Sequence, residues 1–202
     1  MQFAMIDGQR VMAAPGLTAS CPSCGDVVIA KCGEIKQWHW AHKQNDCDPW
    51  SEGMTAWHAK WQEMFPADWR EVVIRKNGSV HRADVRLPNG WVIEFQHSSI
   101  GVSEIAEREA FYWNMVWVFD AREAYAEERF DLRNRRTHYT FRWKHPRISI
   151  AYATRPRFLH LSDIFLLDLR KMSKATPCGG WGDLITPQKF VGRYVPVKAA
   201  IP

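Results

Sequence analysis

The chain has 202 residues, 46% of them hydrophobic, and a formal net charge of +5, which is enough apolar material for one substantial core or a core with a small appended module. No apolar run is long enough to span a bilayer. Residues 1–15 lack the charged-then-apolar order of a secretory signal, with Gln9 and Arg10 breaking the one candidate run, so a cytoplasmic location with no membrane partner is expected.

The first region to carry chemistry is rich in cysteine. Cys21, Cys24, Cys32, Cys47 and Cys178 make no even disulfide framework, and all but Cys178 precede residue 50. In a reducing compartment that crowding points to metal before disulfide. Cys21-x-x-Cys24, with Gly25 easing the turn, and His39-x-x-His42 offer two ligand pairs at spacings that suit tetrahedral zinc. A hairpin from Val27 to Lys36, closed near Cys32-Gly33, would join them. Cys47 competes for the place of one histidine, and Cys32 competes less well. Four protein ligands leave no open position, so the Zn2+ would be structural, holding a module over residues 1–50 that has little core of its own. The alternative is that both histidines pack among Trp38, Trp40 and Trp50 while the thiols stay free.

Ser51 to Phe65 places Trp57, Trp61, Met64 and Phe65 at helical spacing and is stopped by Pro66. Glu71 to Arg75 reads as a strand closed by Asn77-Gly78. His81 to Val85 and Trp91 to Gln96 are two short strands around the turn residues Pro88-Asn89-Gly90. Strand alternation puts Glu94 and Gln96 on one side of the second strand, and folding the first strand back brings Asp84 toward Glu94. Adjacent carboxylates repel, and a bound divalent cation is the usual compensation. A solvated face of an ordinary hairpin is the bland alternative. A helix from Ser103 to about Trp113 follows, and then Met115 to Phe119, apolar enough for a strand buried on both faces.

The order helix, three strands, helix, strand, with Asp on the second strand and Glu-x-Gln on the third, resembles the PD-(D/E)XK nuclease core. The wider pattern resembles the competence protein CoiA family. The resemblance is carried by Cys21-Pro22-Ser23-Cys24, His39-Trp40-Ala41-His42, Trp57-His58-Ala59-Lys60, Arg82-Ala83-Asp84-Val85 and Glu94-Phe95-Gln96-His97-Ser98-Ser99-Ile100. Glu107-Arg108 with Tyr112, and a late Gly180-Trp181-Gly182, add to it. It implies an α/β protein with a restriction-endonuclease-like core over 51–122, the zinc module before it, and a basic extension over 123–202 packed on the core. It also implies Mg2+ or Mn2+ held by Asp84 and Glu94, where the metal would polarise a phosphate and activate a water. Gln96 stands where such nucleases usually carry lysine; it can orient a water but bears no charge. Lys60 or Arg82 is then expected to supply the cation. The fold often adds a helix glutamate as a further ligand, for which Glu52 ranks first and Glu71 second. His58 reads as a packed histidine. Arg108 either faces a phosphate or pairs with Glu104 four residues earlier.

Between Arg129 and Arg157 lie Arg133, Arg135, Arg136, Arg142, Lys144, Arg147 and Arg155 against the single acid Asp131, with Phe130, Tyr139, Phe141, Trp143 and Tyr152 interleaved. Cations suit phosphates and aromatics suit exposed bases, although the same pattern describes a core face beneath a basic surface. Leu159 to Met172 reads as a strand then a helix, or as a buried helix. Trp181-Gly182-Asp183 reads as cap or loop, and Cys178 as a free thiol. The expected function is metal-dependent hydrolysis of DNA, whether single-stranded, duplex or branched, in uptake, recombination or defence. The rivals are a non-cutting DNA binder of the same fold and a recombination factor docking a protein partner. Self-association is compatible with each.

Overall fold

The computed structural model describes residues 1–34, 37–44 and 47–195. The chain divides into two compact units, residues 1–86 and 87–202, where the sequence suggested three segments.

The first unit opens with five antiparallel strands: β1 (Phe3–Ile6), β2 (Gln9–Met12), β3 (Thr18–Ser20), β4 (Val27–Lys31) and β5 (His39–His42), in the order β2-β1-β3-β4-β5. Asp7 and Gly8 both have positive φ, at 49° and 76°, as a tight two-residue hairpin turn requires. Met1, Ala4, Cys21, Val28 and Trp40 form a buried cluster on this sheet. The module therefore has a core of its own. The hairpin expected from Val27 is present as β4 paired with β5; its expected end at Lys36 lies outside the described residues.

Helix α1 (Ala56–Glu63) follows, shorter than the stretch from Ser51, because Thr55 caps it: its hydroxyl accepts from the His58 N–H at 3.1 Å. Its buried face carries Trp57, His58, Ala59, Trp61 and Gln62. Strands β6 (Arg70–Lys76) and β7 (Ser79–Arg86) then make an antiparallel hairpin turned at Asn77-Gly78, both with positive φ. Polar side chains fasten this hairpin to the five-stranded sheet and its loops. The Glu71 carboxylate accepts the N–H groups of Gln2 at 2.7 Å and Phe3 at 3.0 Å. Arg75 donates to the Ser23 carbonyl at 2.8 Å. Asp48 accepts from the Arg82 N–H at 2.7 Å and lies 2.9 Å from His81 Nδ1.

The second unit contains β8 (Val92–Gln96), α2 (Val102–Tyr112), β9 (Met115–Asp120), α3 (Arg122–Ala126), β10 (Phe130–Asn134), β11 (Tyr139–Trp143), a 3-10 turn (Ile148–Tyr152), β12 (Arg157–Ser162), β13 (Phe165–Met172), β14 (Cys178–Ile185) and α4 (Pro187–Tyr194). Within it the strands run β10-β11-β14-β13-β12-β9-β8, with β8, β9 and β12 parallel. Met115 to Phe119 are wholly buried, as an apolar central strand should be. After residue 123 the chain continues this sheet: β12 hydrogen-bonds directly to β9.

Two local readings are corrected. Leu159 to Met172 is not helical but lies in the antiparallel hairpin β12–β13, because the turn at Asp163-Ile164 splits the apolar run into two strand-length pieces. Trp181-Gly182-Asp183 lies inside β14 rather than in a loop. A Cβ on Gly180 would stand 2.0 Å from the Lys171 carbonyl oxygen, and one on Gly182 would stand 2.3 Å from that of Asp168. These glycines admit the close backbone approach that the strand needs. The chain is mixed α/β with mostly sheet, and among the described residues no helix is long and apolar enough to cross a membrane.

Candidate metal centre and candidate active site

Cys21, Cys24, His42 and Cys47 bring one ligand atom each to within 4.8 Å of all the others. Cys21 Sγ lies 3.7 Å from Cys47 Sγ, and Cys24 Sγ lies 3.3 Å from His42 Nε2. Ligands on a tetrahedral zinc with Zn–S near 2.3 Å are separated by roughly 3.7 Å, so this Cys3His set can hold a structural metal such as zinc. His39 is not in the set. Three residues apart on a strand, His39 and His42 project from opposite faces, and His39 Nδ1 turns to the Gln37 carbonyl at 2.8 Å. Cys47 takes the fourth place, and Cys32 stays outside beside His39.

The thiol electrostatics fit the same assignment. Burial would raise Cys21, but the N–H groups of Cys24 and Ser23 outweigh it and hold the thiol below its ordinary value. Burial and the neighbouring sulfurs push Cys24 and Cys47 up. Thiols packed this closely cannot all ionise alone, and a divalent cation is what reconciles three thiolates. Cys178 is free and buried, and burial pushes it up to about 11.

Asp84 projects from β7 with its side chain 17% exposed. Its Oδ1 lies 2.8 Å from His58 Nε2, and Gln62 Nε2 reaches its carbonyl at 3.4 Å and Oδ1 at 3.5 Å. His58 and Gln62 are one helical turn apart on the buried face of α1. Gln62 is fully buried, and its Oε1 has no hydrogen-bond partner among the described residues. His58 is buried, as a packed histidine would be, and its ring meets Asp84. The signal was its four-residue spacing from Gln62, not the six-residue spacing from Glu52. Glu52 itself precedes α1 and is half-buried, so it is not on the helix. The Glu71 carboxylate is occupied by the Gln2 and Phe3 N–H groups, and its own φ is 48°.

Glu94 projects from β8 and is 3% exposed. Its Oε2 accepts from Arg108 Nη1 at 2.9 Å, and Arg108 Nε donates to Glu104 Oε1 at 3.0 Å. Arg108 is equally buried, at 4%. Of the two readings of Arg108, the pairing with Glu104 is present, with Glu94 as a second carboxylate. Gln96 is buried too and donates to the Ser98 carbonyl at 3.3 Å. Of the cations expected to replace a lysine, Lys60 is exposed on α1, and Arg82 donates to Ser51 Oγ at 3.0 Å. Arg108 is a cation in direct contact with the Glu-x-Gln motif, through Glu94.

The basic region resolves into a core face and a surface. Phe130, Phe141 and Trp143 are buried and pack together, with Phe130 and Phe141 rings stacked at 4.8 Å, so they are not a base-stacking platform. Arg135, Arg136, Arg142 and Lys144 are exposed around the β10–β11 hairpin. Arg135 Nε donates to Thr140 Oγ1 at 3.1 Å, and Arg136 occupies the turn with φ at 70°. Thr140 stands directly across from Trp181 on β14. Trp181 is 40% exposed, with His138 edge-on at 5.4 Å. The accessible aromatic beside the arginines is thus Trp181.

Two family models match the chain. Residues 18–49 match the competence protein CoiA N-terminal domain, and residues 77–177 match the CoiA nuclease-like domain. The chain belongs to the competence protein CoiA family. No curated protein and no solved structure matches it. The CoiA N-terminal match encloses the whole Cys3His set, and the nuclease-like match encloses Asp84, Glu94, Gln96, Arg108 and the basic hairpin. Helix α1, with His58 and Gln62, falls between the two matches. A nuclease-like CoiA domain suggests a competence-related, nuclease-like function and nucleic-acid binding.

Proposed function

We propose that this chain is a metal-dependent deoxyribonuclease with a restriction-endonuclease-like core, acting in DNA uptake, recombination or defence. The observation that carries the reading is the cluster at Asp84. A partly exposed carboxylate sits against a histidine and the amide nitrogen of a buried glutamine. Carboxylate oxygens are donors that Mg2+ or Mn2+ takes. Asp84 is the first candidate ligand and Glu94 the second, with that joint role resting on the sequence motif. A bound divalent cation would polarise the phosphate and lower the pKa of a water. His58 Nε2 holds Asp84 in place and is positioned to accept or return a proton. Arg108 fixes Glu94 and carries the charge that Gln96 lacks. The exposed Arg135, Arg136, Arg142 and Lys144 suit phosphate contacts, and Trp181 suits a base.

The test is cleavage of single-stranded, duplex and branched DNA with Mg2+ or Mn2+, wild type beside Asp84→Ala, Glu94→Ala and His58→Gln. Activity lost on chelation and in both alanine variants, and reduced about 100-fold or more in His58→Gln, is expected. One observation favours a second reading: the Glu94–Arg108 pair satisfies the acid without metal. Salt-sensitive binding without any cutting would make the chain a DNA-holding protein of this fold. Salt-insensitive behaviour would leave only a protein-docking role.

A further inference from the structure

Strands β10, β11, β14 and β13 lie side by side in that order, and their antiparallel pairing decides which side chains share a face. One face is core: Phe130, Phe141, Trp143, Cys178 and Met172 are all buried. On the other, register places Arg133 across from Thr140, Thr140 across from Trp181, and Trp181 across from Lys171. Arg142 stands on the same face, across from Gly179. The row owes its last member to an irregularity. Between Leu169 and Lys171 the register shifts, and the extra residue, Arg170, turns Lys171 outward to Trp181 instead of inward to the core.

Trp181 is 40% exposed, and its surroundings suit a flat ligand. Gly179, its same-face neighbour on β14, has no side chain to cover the ring. His138 meets the indole edge-on at 5.4 Å. The acids of this face are already matched: Asp131 bridges Arg133 at 2.7 Å, and Asp183 bridges Arg170 at 3.1 Å. Arg142 and Lys171 are exposed, and no acid among the described residues bridges either. They stand on the strands to either side of Trp181, each about 4.8 Å away in the sheet. A protein partner would favour apolar neighbours around such an anchor. Here the neighbours are cations and a hydroxyl, which suit phosphates on either side of a stacked base. The ring can stack only a base whose own face is free, and in a duplex neighbouring pairs cover those faces. Unpaired bases are therefore what it selects.

We propose that this sheet face binds single-stranded DNA, with one base stacked on Trp181 and its flanking phosphates on Arg142 and Lys171. The choice of DNA rests on the deoxyribonuclease reading above; the choice of a single strand rests on the face itself. The test is fluorescence anisotropy of a labelled oligothymidylate of about ten nucleotides on the full chain. Divalent cation is left out so that strands stay intact, and a duplex and a single-stranded RNA of the same length compete. The labelled strand is expected to bind about tenfold tighter than the duplex. Trp181→Ala should weaken it about tenfold, and Trp181→Phe only about twofold, since a smaller ring still stacks. Arg142→Gln and Lys171→Gln should each flatten the slope of log affinity against log salt by about 0.7, one phosphate contact to a single strand. These two variants touch no core residue, so they decide the matter even where Trp181→Ala lowers stability. Tighter binding of the duplex, or single-strand binding that none of the variants changes, overturns this face and leaves the nuclease reading to the cleavage assay. Tighter binding of the RNA overturns the choice of DNA. No binding of any strand overturns this face and the nucleic-acid reading together.

Discussion

Asp84 and Glu94 belong to the same motif, yet their surroundings are opposite in kind. Asp84 is half-open and rests against a histidine and an amide, both of which can be neutral. Glu94 is sealed beside a permanent guanidinium that is itself shared with Glu104. The first acid keeps its charge available to whatever cation arrives. The second arrives with its cation built in. Arg108 on α2 places a positive charge 2.9 Å from the glutamate of the Glu-x-Gln motif. What holds each acid differs too. The Asp84 strand is fastened to the module that carries the Cys3His set, whereas Glu94 is held by its own helix and sheet.

The sharpest way to break that comparison is to remove the structural metal, by chelation or by Cys47→Ser. Cys47 is followed directly by Asp48, which grips the Arg82 N–H and His81 on the strand that carries Asp84. Structural zinc contributes folding free energy outright, on the order of 10 kcal/mol in small zinc modules. Hydrogen exchange should therefore show amide protection collapsing in β6 and β7 while β8 and β9 keep theirs. Equal loss in both regions, or none in β7, would mean that the two acids are not separately supported.

Arg108→Ala should come next in size. It removes the buried guanidinium that Glu94 meets at 2.9 Å, and breaking a buried ion pair costs about 3–5 kcal/mol. His58→Ala removes one hydrogen bond to a partly exposed acid and should cost about 1–2 kcal/mol. Urea midpoints at unchanged slope would measure the difference. Similar costs would erase the contrast between a built-in cation and an adaptable partner.

Much of this arrangement was legible in the sequence. The order of elements around the motif followed from Asn77-Gly78, Pro88-Asn89-Gly90 and the apolar run at Met115, each of which has a local mechanism. The Cys-x-x-Cys knuckle was equally plain. The fourth metal ligand was not, because choosing between His39 and Cys47 depends on whether His39 to His42 is a strand, and a four-residue strand has little periodicity to read. His58 was underrated for the same kind of reason: its partner Gln62 signals nothing chemical until the helix places both at Asp84. Asp7-Gly8 announced the first hairpin, but the strands around it are too short to stand out. Arg108 was read evenly between phosphate and Glu104, since its third neighbour, Glu94, is reached only through the fold.

A further prediction concerns acid. His58, His81 and His97 each sit against a carboxylate, but His160 is buried in the second unit with a different balance. Burial foremost, then the Arg122 charge, pushes its imidazole from 6.5 down to about 4, with Asp120 and Asp163 opposing. The unfolded chain therefore takes up a proton below about 6.5 that the folded chain refuses until about 4. Where the unfolded state binds more protons, stability falls as pH falls, so the loss spans this window and amounts to about 3 kcal/mol. Acid also protonates the metal-binding thiols, but that contribution is common to wild type and to His160→Gln. Their difference isolates the histidine: the variant's stability should decline less steeply between pH 6.5 and 4, in urea melts followed at a second-unit reporter. Parallel curves would mean that His160 is protonated in the folded state, and that acid, like chelation, acts first on the metal-bearing unit.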